Sequence, residues 1–465
     1  MPTPDDSILQ NVLEIFRTSS LTPLLVGGAV RDLLLKQKPK DLDFLVAGES
    51  MGMFVNLMDK LAASLNLNIV RPAAFPEVMR LVSRTHSLDF TFVSSEKVTE
   101  NLMQRDFTIN AMAMNLATKE ILDPSEGTED LNGRRLRMVR EDAFKKDPVR
   151  IVRLFRFQTE LGFTPNNDTI AQAKEAASFL SLPAGERIRE EFFKILANDR
   201  GFDAISEMTD PILMTLFPSI AAIRDIPQNG YHHLNVLDHT LAVLSRTFRL
   251  NEVTSLLHSP ELPFSEEDKI VLRLSALFHD VGKAHTLSWN ENGITTFKKH
   301  QFHSADLFLT DIGRLKPSNR LTERVYMVIR RHMLFLNFML NGWSDKSFRK
   351  LINMMREDSR LLVLLACADK LSAEGPLSAG SAEQMTEIGC AFMETYKKDA
   401  ETITRLPKLV SGKEVMDLLG LSPSPEVGKV LSIIAEKQLA DPAFNREQAL
   451  AILNSYPKKQ KGETI

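Results

Sequence analysis

The chain has 465 residues, too many for one hydrophobic core, and its 43% hydrophobic and 25% charged residues are the balance of an ordinary water-soluble protein. Its 57 basic residues face 60 acidic ones, and a net charge of −3 excludes a protein that wraps nucleic acid over its whole surface, leaving only local patches. Two cysteines, Cys367 and Cys390, exclude a disulfide framework and a cysteine zinc site.

The opening Met1-Pro2-Thr3-Pro4-Asp5-Asp6 lacks the basic start and apolar stretch of a signal peptide. The apolar run Leu361–Ala368 falls far short of the roughly 18 residues that span a bilayer. A cytoplasmic protein without membrane contact is expected. Up to about Arg140, short β-branched or apolar runs alternate with helical segments. Leu24–Val26, Leu42–Val46, Asn68–Val70, Met79–Val82 and Leu88–Phe92 read as strands, and Val30–Leu35 and about Ser50–Leu65 as helices. A small α/β head with a mixed sheet follows. From about Phe144 the strand signals stop. Pro148–Leu161, Ile170–Leu180, Ile188–Leu196 and Leu237–Phe248 carry helical periodicity, and the breaker Ile226-Pro227-Gln228-Asn229-Gly230 marks a domain boundary. A second, Ala373–Ser381, is small and flexible. There is no internal repeat or low-complexity region.

Chemistry concentrates first in the head. Leu25-Val26-Gly27-Gly28-Ala29-Val30-Arg31-Asp32 runs strand, double-glycine turn, helix. Glycines there let backbone N–H groups approach a triphosphate without a Cβ in the way. Just downstream, Asp41 and Asp43 are two apart, so on a strand both carboxylates project from one face. Like charges so close call for a cation between them. Mg²⁺ suits the pair, binding one or two carboxylates plus substrate phosphates, and supports two-metal transfer to a hydroxyl.

Gly27-Gly28-Ala29-Val30-Arg31-Asp32 followed by Asp41-x-Asp43 resembles the head of class II tRNA nucleotidyltransferases and bacterial poly(A) polymerases. Arg105-Asp106-Phe107-Thr108-Ile109-Asn110 resembles the same family's motif for sugar and triphosphate contacts, which implies nucleotide binding by Arg105, Asp106 and Asn110 beside Gly27, Gly28, Arg31 and Asp32. Gln104 stands where the family has the first of two arginines. Asp123-Pro124, Gly127 and Asp130-Leu131 also match its pattern. The resemblance implies Mg²⁺ at Asp41 and Asp43, with CTP, ATP and a tRNA 3′ end as partners and no stable protein partner.

Asp147-Pro148-Val149-Arg150-Ile151-Val152-Arg153 opens a helix, with Asp147 as N-cap and Pro148 at the first helical position. Asp147 and Arg150, three apart, share a face and offer a carboxylate acceptor beside a guanidinium fork. The family uses such a pair to select C and A, although Lys146 replaces its usual preceding Glu. Arg153 and Arg156 continue nearly the same face towards phosphate. They end a basic run, Arg134 to Arg156, expected to contact phosphate or RNA. Glu186-Arg187-Ile188-Arg189-Glu190-Glu191 resembles a further family motif, read as structural. Asp89 is either a third carboxylate near the metals or a structural one. Only Val93–Gln104 separate its strand from Arg105, a shortening that resembles enzymes adding only two cytidines.

Farther on, Leu277-Phe278-His279-Asp280-Val281-Gly282-Lys283 resembles the HD superfamily of metal-dependent phosphohydrolases. His239, His279, Asp280, His303, His332 and Asp369 follow its order, implying a divalent transition metal whose bound water attacks a phosphate ester. His232, His233, His285 and His300 receive no role. Leu409–Gly420 and Pro423–Lys429 resemble the family's C-terminal helical segment, and Pro457–Gly462 reads as a solvated basic tail.

The expected architecture is α+β. A nucleotidyltransferase head (1–140) with a small mixed sheet precedes an all-α neck with the base-reading motif (141–226), an HD metal-binding body (227–375) and a helical RNA-binding tail (376–465). The expected activity is addition of C and/or A to a tRNA 3′ end. CC-addition alone, poly(A) polymerisation, an HD phosphohydrolase with an idle head and a non-catalytic RNA adaptor remain open.

Overall fold

The structure, a computed structural model, describes residues 4–73, 75–83, 87–441 and 443–456; the basic tail at Pro457–Gly462 lies outside them. No described helix is long and apolar enough to cross a membrane. The chain divides into two compact units, Met1–Ile195 with Asp203–Leu216, and Leu196–Phe202 with Phe217–Ile465.

The first unit begins with helix α1 (Pro4–Phe16) and is built on a mixed sheet of order β3-β4-β5-β2-β1-β6-β7. Strands β1 (Thr22–Val26), β2 (Leu42–Ala47), β3 (Asn68–Val70), β4 (Val78–Val82) and β5 (Ser87–Val93) lie where the apolar runs place them. Helices α2 (Gly28–Leu34) and α3 (Met51–Leu65) occupy the expected intervals, and Ser50 caps α3 by accepting from the Met53 N–H. Strands β6 (Ala113–Asn115) and β7 (Ile121–Leu122) extend the sheet beyond the sequence expectation. They are too short to show alternation.

Every neighbouring pair is antiparallel except β2 with β5, which run parallel. That register sets Asp43 beside Asp89, and Phe44 beside Phe90 with rings stacked 4.5 Å apart. Phe54, Met58 and Leu61 of α3 are fully buried. The sheet's apolar face thereby fixes β2, and with it Asp43 at the open end. Helices α4 (Val149–Leu161) and α5 (Gly185–Ala197) complete the part of this unit that bears on the site. A two-residue parallel bridge joins Arg135–Leu136 to Thr164–Pro165, so strand pairing does not end at Phe144 as the sequence implied.

The second unit is helical apart from a short hairpin, Ser288–Trp289 with Thr295–Thr296. Helix α6 (Val236–Phe248), α7 (Glu266–Phe278), α8 (His300–Gly313), α9 (Asn319–Arg331), α10 (Leu334–Asn341) and α11 (Ser359–Leu371) form its body. The wholly apolar Leu361–Cys367 face of α11 is buried, packed against α6 and α7. Helices α12 (Gly412–Leu419), α13 (Pro425–Ala440) and α14 (Arg446–Ser455) close a separate small core around Val415, Val430 and Leu453.

Candidate active site

Val26 ends β1, and the chain turns at Gly27 into α2. Gly27 has φ 68°, and a Cβ there would stand 2.5 Å from Arg105 Nη1. The positive φ favours glycine, and a side chain there would also have to displace the Arg105 guanidinium. The turn brings the backbone beside a cleft of about 510 Å³. Of the residues expected to act on nucleotide, Gly27, Gly28, Arg31, Asp32, Asp41, Asp43, Arg105, Asp106, Asn110, Arg153 and Arg156 line it together. Arg150 instead lines an adjoining cleft of about 360 Å³, which shares Arg105, Asp106 and Arg153 with the first. Asp147 lines neither of these clefts.

Hydrogen bonds tie the cleft wall into one chain. Arg31 holds Asp32 Oδ1 with Nε and Nη2 at 2.9 and 2.7 Å, and its Nη1 donates to Asn110 Oδ1 at 2.7 Å. Asn110 Nδ2 donates to Asp106 Oδ1 at 3.0 Å, and Arg153 Nη1 to Asp106 Oδ2 at 3.1 Å. Burial opposes charge on Asp106, yet Arg153, Asn110 and the Phe107 N–H hold its carboxyl below the usual range. Asp43 behaves oppositely. Burial first, then the neighbouring Asp89, push its carboxyl upward against the pull of Arg105, and Asp41 adds to the push. Asp89 itself is gripped by Arg80 Nε and Nη2 at 2.6 and 2.7 Å, so its carboxylate serves a cross-strand ion pair.

Other family-like positions brace this wall. Asp123 caps the short helix Gly127–Asn132 by accepting from the Gly127 and Thr128 N–H groups. Buried Asp130 accepts from Thr108 Oγ1 at 2.7 Å and from Arg135 and Arg137. The basic run from Arg134 to Arg156 is therefore largely neutralised by local acids: Arg140 pairs with Asp142, and Arg156 with Glu191 at 2.5 Å and Glu160 at 2.9 Å. Of this run, only Arg153 and Arg156 face the main cleft.

Asp147 is not the N-cap expected of it. Pro148 takes that position, and Asp147 is extended (φ −140°, ψ 91°) with its carboxylate drawn 2.8 Å from Arg187 Nη2. The sequence reading missed Lys40, Lys194 and Phe157, all of which line the cleft. Lys40 directly precedes Asp41, a signal that was visible. Phe157 lies one turn beyond Arg153, and the guanidinium of Arg156 stands 4.1 Å from its ring.

In the second unit, Asp280 is the hub. His279 Nε2 lies 3.2 Å from its Oδ2, and His300 Nε2 3.1 Å from its Oδ1. The potential ligand atoms of His239, His279 and Asp280 lie within 4.8 Å of one another, as do those of Asp280, His300 and His332. Asp369 Oδ1 meets His239 Nε2 at 2.8 Å. His300, given no role from sequence, stands where His303 was expected. His303 is exposed, three residues or about 4.5 Å farther along α8. His232 also joins the group, its ring 4.4 Å from that of His239. Burial, then neighbouring His300 and His279, push His332 down to about 3, so its imidazole is neutral. His279 Nε2 is buried without a hydrogen bond, and this donor set fits a divalent transition metal. The cavity beside it, about 330 Å³, is walled on its apolar side by Phe297, Met333, Leu336 and Leu340.

Residues 24–137 match the poly A polymerase head domain, 162–223 the probable RNA and SrmB-binding site of polymerase A, and 236–374 the HD domain. The chain is 30% identical to an A-adding tRNA nucleotidyltransferase of Deinococcus radiodurans, covering 94% of this chain and 96% of that one. It is 32% identical to a CC-adding tRNA nucleotidyltransferase of Thermus thermophilus, covering 92% of each. Among solved structures, the apo form I of a CCA-adding enzyme superposes with a TM-score of 0.64 at 18% identity, over 100% of this chain and 97% of that one. A Thermotoga maritima CCA-adding enzyme complexed with tRNA reaches 0.61 at 19% identity, over 98% and 97%. At such identities these likenesses speak for fold, and the full-length relatives carry the rest: the chain belongs to the tRNA nucleotidyltransferase family and is a nucleotidyltransferase with an HD domain.

Proposed function

We propose that this chain adds cytidylate, adenylate or both to the 3′ end of tRNA from CTP and ATP, releasing pyrophosphate in the cytoplasm. The observation that carries the reading is the convergence of the glycine turn, the Asp41–Asp43 pair and the Arg31, Arg153 and Arg156 guanidiniums on one cleft. Asp41 and Asp43 would hold Mg²⁺; burial first, and then the neighbouring Asp89 and Asp41, disfavour a bare carboxylate at Asp43, and a divalent ion there would offset both. Bound there, the metal supplies the charge that activates the RNA hydroxyl and neutralises the departing pyrophosphate.

The chain's own residues do the positioning. Gly27 and Gly28 admit the triphosphate against the backbone, and Arg153 and Arg156 face its charge. Asn110 and Asp106, locked to Arg31 and Arg153, hold the sugar end rigid. Asp147 and Arg150 read the base through an acceptor and a donor fork. The relatives' names favour tRNA over the generic RNA of a poly(A) polymerase.

Replacing Asp43 with Asn tests the reading. Incorporation on a tRNA transcript falls by about 10³-fold or more, while metal-free thermal stability holds or rises because a repelled carboxylate is gone. Transfer retained in this variant would sink the proposal.

A narrower reading, addition of cytidines alone, is favoured by one observation. Between β5 and Arg105 the chain forms a tight turn, Ser95–Lys97, and a short helix, Val98–Met103, in place of a long loop. The HD cluster would hold one or two divalent ions and act on a phosphate ester, such as a cyclic or phosphate-blocked RNA end.

A further inference from the structure

The proposed base-reading pair is held by two different kinds of partner, main-chain carbonyls for Arg150 and a side chain for Asp147. Arg150 donates Nη2 to the Gln104 carbonyl at 2.8 Å and Nη1 to the Arg105 carbonyl at 3.2 Å, which fixes the plane of its guanidinium. Asp147 has no such main-chain anchor for its side chain. Its Oδ2 accepts from Arg187 Nη2 at 2.8 Å and stands 3.9 Å from Arg150 Nε. No described residue donates to Oδ1.

Reading C and A against U and G depends on that side chain's orientation. Cytosine and adenine place an exocyclic amine donor beside a ring-nitrogen acceptor. Uracil and guanine place a carbonyl acceptor beside a ring N–H donor. A carboxylate oxygen and a guanidinium N–H in fixed order match the first pattern and oppose the second. A carboxylate free to turn accepts from either donor, and the order is lost. Discrimination of this kind rests on buried polar groups left unpaired by the wrong ligand, which requires that they cannot swing to compensate.

We propose that Arg187 is a specificity-determining positioning residue: it anchors one oxygen of Asp147 so that the other faces an incoming amine. The inference rests on Asp147 and Arg150 being the base reader. Arg187 touches no nucleotide in this account and acts through Asp147. One turn along α5, Glu191 accepts from Arg153 Nε at 3.0 Å and pairs with Arg156 Nε at 2.5 Å. The same helix face, at i and i+4, thus secures the base reader and the phosphate-facing arginines. The motif read from sequence as structural gains a role in choosing the nucleotide. Arg187 is half exposed, with 51% of its side chain accessible against 24% for Asp147, so its loss leaves a carboxylate that water can solvate and a protein that folds.

The test is single-nucleotide incorporation on tRNA transcripts lacking CCA or ending in CC, with kcat/KM measured for CTP, ATP, UTP and GTP. Arg187→Met is expected to reduce the preference for amine-bearing bases by about tenfold. The change should come through a raised KM for the correct nucleotide and a gain for the wrong ones, with Tm shifted by less than about 3 °C. Arg187→Lys should recover part of the preference, and Arg187→Gln replaces the Met variant should that one fail to fold. A parallel loss with all four nucleotides, at unchanged preference, would mark a merely structural role and overturn the proposal. Asp147→Ala separates the two layers. If it leaves the preference intact, the base-reading assignment fails and the proposal with it. If it abolishes the preference while Arg187→Met does not, the proposal alone falls.

Discussion

Asp106 shows how one buried side chain organises a site through its partners. Its two oxygens accept from Asn110, the Phe107 N–H and Arg153, and those partners keep its carboxyl below the usual range despite burial. A depressed folded pKa means that the group contributes stability above its unfolded value near 3.8, and that the contribution is lost as pH falls through the folded pKa. Asp106→Asn should therefore cost roughly 1–3 kcal/mol at pH 7, and the gap from wild type should narrow below about pH 4. Urea unfolding at pH 7 and pH 3.5 reads both; a gap that widens in acid would contradict the assignment. Asp41 and Asp43 could be singled out because their spacing from each other and from the glycine turn is local in sequence, whereas Asp106 came only through the resemblance of Arg105–Asn110 to a family motif. The choice between His300 and His303 was not legible, because both occupy plausible positions on one helix and only packing against Asp280 separates them.

At the scale of elements, the Arg105–Asn110 segment has few regular hydrogen bonds of its own and depends on the short helix behind it. Gly127 opens that helix, and a Cβ there would lie 2.1 Å from the Thr108 carbonyl oxygen. Backbone cannot yield as a flexible side chain would. Gly127→Ala should destabilise the protein by about 1–3 kcal/mol and raise KM for the nucleotide through displacement of Asn110, measurable by denaturation and steady-state kinetics. Unchanged stability and KM would refute the bracing role. Strands β1, β2, β4 and β5 were readable because their apolar runs are long enough to bury a face, as Phe44 and Phe90 do. Strands β6 and β7 pair only through β1 and each other, so the sheet, not the local sequence, makes them strands. The Arg187–Asp147 pair spans forty positions, a separation at which sequence spacing carries no signal.

For the molecule as a whole, the net charge is −3, and Arg140 and Arg156 of the basic run pair with nearby acids. The candidate nucleotide cleft lies in one unit and the histidine–aspartate cluster in the other, with Asp43 and Asp280 as their acidic hubs. Metal content of dialysed protein distinguishes the ligands of the second. His279→Ala and His300→Ala should lose the bound divalent metal, whereas His303→Ala should keep it; the reverse for the last two would restore the sequence-based ligand set.

The most direct test of the central claim is incorporation on two tRNA transcripts, one lacking CCA and one ending in CC, with Mg²⁺ and labelled CTP or ATP, sized on a gel. Growth by no more than the three CCA nucleotides is expected, stopping after two cytidines on the first transcript alone if the short Val93–Gln104 connection sets a cytidine-only enzyme. Long adenylate ladders, or no growth on either transcript, would contradict it.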